Sequence, residues 1–154
     1  MKIGIGNDHA AVELKEYLAD HLRECGMEVV DFGVKAGEIC DYPVPGRDVA
    51  EAIKAGKIDK GVLICGTGIG ISIAANKVPG IRAAVCSEPY SAKMASLHNN
   101  AQIIALGARV VGFELAKMIV DTFLTTKFEG GRHQNRLDII TEIEEKYSGR
   151  QDGN

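Results

Sequence analysis

A chain of 154 residues is long enough to bury one core and too short for two large domains. Its formal net charge of −3 gives no general attraction to nucleic acid or to an acidic membrane, so an anionic ligand must meet a local cluster of cations. No apolar run approaches the ~20 residues that cross a bilayer, and the first six residues lead straight into a strand-like pattern, not a signal peptide.

The predicted elements alternate between short β-rich runs and amphipathic stretches. Residues 2–6 read as the first strand. Residues 10–25 place Leu14, Leu18, Leu22 and Cys25 on one stripe of a half-buried helix, and Gly26 follows where a left-handed C-cap belongs. A strand over 28–32 and a helix over 45–55 come next. Strand 61–65 leads into helix 69–77, strand 82–86 into helix 89–99, and strand 102–106 into helix 113–125. A last helix is predicted over 136–147, and the polar tail 148–154 is expected to fray. Three strand centres, at 62–64, 83–85 and 103–105, are continuously apolar, as in a sheet covered on both faces. The pattern predicts an α/β fold: a three-layer α/β/α Rossmann-like sandwich with a five-stranded parallel sheet, in one domain over 1–147.

In such sheets ligands sit beyond the carboxyl ends of the strands. Asn7-Asp8-His9 follows the first strand, and Cys65-Gly66-Thr67-Gly68-Ile69-Gly70 follows the third. Ser87-Glu88 follows the fourth and Gly107-Ala108-Arg109 the fifth. The glycines after Cys65 let a ligand approach the backbone, and amides at a helix start favour a negative oxygen. The same residues also fit a tight βα turn. A thiolate beside oxyanion-binding amides could move a proton on a carbon next to a carbonyl, whereas a buried inert cysteine is the plainer reading of Cys65.

The other polar residues leave alternatives open. The four cysteines include no CxxC pair, which favours reduced cytoplasmic thiols over a disulfide or zinc framework. Three of them are expected to be small apolar residues in or near the core. His21 reads as a solvated residue on a helix flank, and His9 lies where a ligand could reach it. His98 either caps a helix C-terminus or meets a ligand, and His133 is either a surface residue or a support for its neighbours. No pair of histidines has a metal-ligand spacing. Arg132 and Arg136, one helical turn apart, are either a phosphate clamp or two solvated charges.

Taken together, these residues resemble the ribose-5-phosphate isomerase type B family, which also contains galactose-6-phosphate and allose-6-phosphate isomerases. The resemblance covers residues 1–147. It is carried by Asp8-His9, Asp41-Tyr42-Pro43, the run from Cys65 to Lys77, Gly80-Ile81-Arg82-Ala83, and Cys86-Ser87-Glu88-Pro89-Tyr90-Ser91-Ala92. His98-Asn99, Gly107-Ala108-Arg109-Val110-Val111-Gly112 and the run from Glu129 to Arg136 complete it. Residues 34–40 match poorly.

The resemblance implies an aldose–ketose isomerase interconverting D-ribose 5-phosphate and D-ribulose 5-phosphate through an enediolate, with side activity on allose 6-phosphate or related aldoses. Neither a cofactor nor a metal is implied. Cys65 would carry the proton, Thr67 would support it, and the amides from Gly66 through Gly68 to Gly70 would hold the enediolate oxygen. His98 would open the furanose ring, and Asp8 and Asn99 would contact sugar hydroxyls. His9, Arg109, Arg132 and Arg136 would bind phosphate, and Tyr42 would line the pocket. Ile71 stands where one branch of the family has a glutamate base, which puts this chain in the cysteine branch. The family also implies a sheet with strand five between strands three and four, and a homodimer with shared sites. In that arrangement His98, Asn99 and Arg109 reach the pocket from one subunit, and Cys65, His9, Arg132 and Arg136 from the other.

A rival class is a nucleotide-binding module using the loop 65–70, with Glu88 as the ribose-binding acid. The glycines run GxGxG, not GxGxxG, and follow the third strand instead of the first.

Overall fold

Parallel strand pairing sets the frame. The computed structural model describes residues 1–148. Its strands are β1 (Lys2–Asn7), β2 (Glu28–Asp31), β3 (Lys60–Cys65), β4 (Ala83–Val85) and β5 (Ile103–Gly107), all parallel, in the order β2-β1-β3-β5-β4. Strand five does lie between three and four. The helices are α1 (Val12–Glu24), α2 (Pro43–Lys54), α3 (Ile69–Ala75), α4 (Pro89–Leu97), α5 (Phe113–Thr125) and α6 (Arg132–Ser148).

Side chains alternate across a strand, so an apolar β3 feeds both faces. Val62 and Ile64 join Leu14, Leu18, Leu22, Ile119 and Phe123 on the α1/α4/α5 side. Leu63 and Cys65 join Val49, Ile71 and Ala75 on the α2/α3 side. The three layers therefore form as the apolar runs require. The exception is 83–85: β4 is an edge strand and Val85 is 42% exposed, so that run is covered only in part.

Several local expectations change. Helix α2 begins at Pro43, two residues early, with its prolines in the first turn, where a missing N–H costs nothing. Helix α6 begins at Arg132, four residues early. Gly130 (φ 71°) and Gly131 (φ 56°) turn the chain through a left-handed conformation open to glycine, and His133 and Gln134 then bond back to their carbonyls. Ser148 ends α6, and the rest of the expected frayed tail lies outside the described residues. His21 is not a solvated flank: its ring is mostly covered and its Nε2 lies 2.7 Å from Asp121. Of the three cysteines expected in or near the core, only Cys86 is buried; Cys25 is exposed and Cys40 half-buried. No described helix is long and apolar enough to cross a membrane.

One charge sits inside the α1 layer. Lys15 is buried and its Nζ lies 2.7 Å from Asp31 Oδ2, while Asp31 Oδ1 accepts from Gly33 N–H. Removing one partner of such a pair strands the other charge. Asp31→Ala is therefore expected to cost about 3 kcal/mol in urea unfolding, whereas Lys15→Met stays within about 1 kcal/mol of wild type. Equal losses would show that burial of the ammonium is not what makes the pair matter.

Candidate active site

Cys65 is the last residue of β3, 4% exposed, and opposite Gly107 of β5. The chain then folds over the end of β5. Gly68 has φ 80°, and a Cβ there would come within 2.9 Å of the Leu106 carbonyl carbon, so the position admits only glycine. That turn aims the Gly68 N–H at the Cys65 sulfur, Sγ accepting at 3.1 Å. Thr67 Oγ1 accepts from Ile69 N–H at 3.3 Å. Arg109 donates its backbone N–H to Gly66 O at 3.1 Å, and its guanidinium lies over Gly66. The Tyr42 ring, just before α2, covers Gly70 so closely that a Cβ there would meet it at 2.6 Å.

The end of β1 supplies the neighbouring wall. Asn7 is fully buried; its Nδ2 donates to Asp8 O (2.8 Å) and Val34 O (3.3 Å), and its Oδ1 accepts from Val34 N–H. Asp8 is nearly buried, its backbone N–H bonded to Ile64 O and its Oδ1 accepting from Ala10 N–H. His9 is exposed, with Nδ1 3.1 Å from Cys40 O. Asn7 thus ties Asp8 to the loop that carries residues 33–40. Its only signal in the sequence is a polar residue closing an apolar strand.

A second cluster forms at the opposite end of the sheet. Helix α4 starts beyond the carboxyl end of β4 and runs back, so its C-cap His98 arrives beside the first residues of β4 and β5. The Arg82 guanidinium, just before β4, donates to the carbonyls of Asn99 and Asn100, and Gln102 O accepts from Gly61 N–H at the start of β3. The backbone N–H of Glu129 bonds to Leu97 O, which brings the start of α6 to the same place. There the rings of His98 and His133 stack, centroids 4.1 Å apart and 10° from parallel.

His133 is buried and has three partners. Glu129 Oε2 lies 3.2 Å from its Nε2, Arg136 Nη1 lies 3.3 Å from its Nδ1, and Arg132 Nε lies 3.4 Å from its Nε2. Nε2 therefore faces both the Glu129 carboxylate and the Arg132 Nε–H donor, while Nδ1 faces the Arg136 guanidinium. Burial lowers the His133 pKa from the ordinary imidazole value, with His98 and the two arginines adding to the effect against Glu129, which favours the neutral ring. Arg132 and Arg136 themselves stay exposed, one turn apart on the same side of α6.

His98, Glu129 and His133 bring three possible metal donors within 4.8 Å of one another, a grouping that sequence spacing did not reveal. The parallel rings and the two adjacent guanidiniums suit that cluster poorly to a cation. Glu88, the acid of the nucleotide reading, instead caps α4 by accepting from Ser91 N–H at 2.8 Å; that bond holds its carboxyl below the usual range.

The candidate residues therefore fall into two sets within one chain. Asp8, His9, Tyr42, Cys65, Thr67, the loop glycines and Arg109 sit at the carboxyl ends of the strands. His98, Asn99, Arg132 and Arg136 sit at the amino ends. A strand the length of β3 separates them by roughly 15–20 Å. The expected grouping needs correction here: Arg109 belongs with Cys65, because β5 ends beside the glycine loop, and Arg132 and Arg136 belong with His98, because residue 129 is bonded to the end of α4.

The chain belongs to the ribose/galactose isomerase family, whose model matches residues 3–140. It is 54% identical to ribose-5-phosphate isomerase B of Escherichia coli over 145 residues, 94% of this chain and 97% of the other. It is 49% identical over 141 residues to the D-erythrulose-4-phosphate isomerase of Pectobacterium atrosepticum, covering 91% and 93% of the two chains. The solved structure of ribose-5-phosphate isomerase B from Clostridium thermocellum superposes with a TM-score of 0.94 at 59% identity, covering 96% of this chain and 99% of that one.

The thiols differ sharply in setting. Burial, with Glu88 nearby, pushes the Cys86 pKa up to about 11, whereas Cys25 is exposed. Brief iodoacetamide treatment near neutral pH should therefore alkylate Cys25 and leave Cys86 unmodified until denaturant is added, as read by peptide mass spectrometry. Labelling of Cys86 in the native protein at the Cys25 rate would contradict the burial of its thiol beyond the end of β4.

Proposed function

We propose that the protein interconverts D-ribose 5-phosphate and D-ribulose 5-phosphate, with Cys65 as the base that carries a proton between C1 and C2. The observation that carries this reading is the Gly68 amide aimed at the Cys65 sulfur inside a loop of further amides. The names of the relatives from E. coli and C. thermocellum support the substrate. The Pectobacterium relative's name, a D-erythrulose-4-phosphate isomerase, supports tolerance for other sugar phosphates, and a side activity on allose 6-phosphate is part of this proposal.

The chemistry follows from the groups present. Aldopentose phosphates are mostly cyclic, so His98 first opens the furanose by proton transfer. The Cys65 thiolate takes the C2 proton, charge collects on the C1 oxygen, and the amides of 66–70 stabilise it where it develops. A proton passes from the C2 hydroxyl to the C1 oxygen, and Cys65 then returns its proton to C1 as C2 becomes the carbonyl. Asp8 and Asn99 hold hydroxyls, Tyr42 walls the pocket, Thr67 steadies the loop, and His9, Arg109, Arg132 and Arg136 hold the phosphate. No step draws on a metal or a cofactor.

Since Cys65 and His98 lie at opposite ends of one sheet, we place each complete site between two copies of the chain in a homodimer. Exposed apolar side chains near both half-sites support this, among them Ile69, Ile73 and Val110 at one and Ile139, Ile140 and Ile143 at the other. One isomerase domain over 1–147, acting in the cytoplasm, accounts for the free thiols and the length of the family match. Nucleotide binding is the weaker reading because Glu88 is already occupied as a cap. Added NAD should leave the melting temperature unchanged.

In a coupled assay with several aldose phosphates, ribose 5-phosphate should be turned over fastest. Cys65→Ala should lower kcat at least ~100-fold with little change in KM. Near-normal kcat in a folded variant would remove Cys65 from the mechanism. Wild-type activity should also survive dialysis against EDTA, and a loss restored only by a divalent ion would refute the metal-free chemistry.

A further inference from the structure

The cluster at the amino ends of the strands contains one acid to which the mechanism above gives no task. Glu129 is half-exposed, but its carboxylate points inward, 3.2 Å from His133 Nε2 and 4.0 Å from His98 Nε2. Its backbone is anchored separately through Leu97 O. The side chain is therefore free to serve the two rings without holding the turn together.

We propose that Glu129 is a positioning residue for ring opening: acting through His133, it fixes the plane and direction of the His98 imidazole. The inference rests on the reading of His98 as the ring-opening group. The Glu129 carboxylate lies against the Nε2 edge of His133, which it shares with the Arg132 Nε–H, while Nδ1 faces Arg136, so the ring is held from both edges. His133, buried and with its neutral form favoured, offers a flat face on which His98 lies nearly parallel. A protonated neighbour would repel a His98 that carries the transferred proton; a neutral one does not. His98 is otherwise a helix C-cap, where a side chain has little to restrain it, so the stacked ring supplies what the backbone lacks. The groups facing the pair are Glu129, Arg132 and Arg136, and only Glu129 accepts hydrogen bonds.

Glu129→Ala removes the acceptor, while Glu129→Gln keeps an oxygen in its place. With ribose 5-phosphate, Glu129→Ala should lower kcat about tenfold or more with KM within about twofold, because misaligning a reacting group costs rate more than binding. Glu129→Gln should recover most of that loss. Placed in a His98→Asn background, Glu129→Ala should have no further effect on kcat, since its route of action is already gone. A further tenfold fall in the double variant, a loss borne mainly by KM, or a failure of Gln to rescue would each overturn the proposal. Failure of wild type to isomerise ribose 5-phosphate, or full activity of His98→Asn, would instead overturn the functional reading beneath it.

Discussion

A helix that follows a parallel strand must run back along the sheet before the next parallel strand can begin. Every functional consequence of this fold depends on that constraint. It sends α4 away from the glycine loop and delivers His98 to the amino ends of β4 and β5, while Cys65 stays at the carboxyl end of β3. Because β3 and β5 pair directly, the turn after Cys65 and the turn after Gly107 meet, and Arg109 falls beside the thiol. One chain thus carries Cys65 and the glycine loop at one end of the sheet and the histidine–arginine cluster at the other.

The two halves are built by different means. Around Cys65 the control is by backbone: a left-handed Gly68, an amide on sulfur, and contacts that leave no room for a Cβ at Gly70 or Gly68. Such a cradle is closely packed, and amides held in place this way suit a developing negative charge. Around His98 the control is by side chains: stacked rings, a carboxylate and two guanidiniums on one turn of α6. That cluster sits on a helix that buries only His133 and Leu137, leaving Ile139, Ile140 and Ile143 uncovered. A second copy docking there would cover those isoleucines and bring the histidine and arginines to another chain's thiol.

Much of this was legible in the sequence because the signals were local. Apolar runs at 62–64 and 103–105 located the central strands, and the alternation of elements implied a parallel sheet between helices. The glycines after Cys65 marked the ligand end, and family resemblance supplied the strand order. What sequence missed depended on long-range placement. In the Glu129–His133–His98 contact the first two stand four residues apart, but His98 arrives from the end of α4, so no local spacing could reveal the cluster. The β4 run looked fully covered because hydropathy does not distinguish an edge strand with one neighbour from a central strand with two. His21 looked solvated because its partner, Asp121, is one hundred residues away. The early start of α6 was set by paired left-handed glycines, and with it came the assignment of Arg132 and Arg136 to the His98 end.

The central claim, that a working site needs the thiol end of one chain and the histidine end of another, is tested most directly by subunit mixing. Cys65→Ala and Arg136→Ala homodimers, each strongly impaired, would be unfolded and refolded together in equal amounts, with native mass spectrometry confirming mixed dimers. About half the dimers are then mixed, each with one intact site of two, so activity should return to about a quarter of wild type by the two-fold symmetry of the interface. Cys65→Ala mixed with Arg109→Ala, both altered at the same end of the sheet, should recover nothing. Recovery by the second pair, or none by the first, would contradict the split that the strand and helix directions impose.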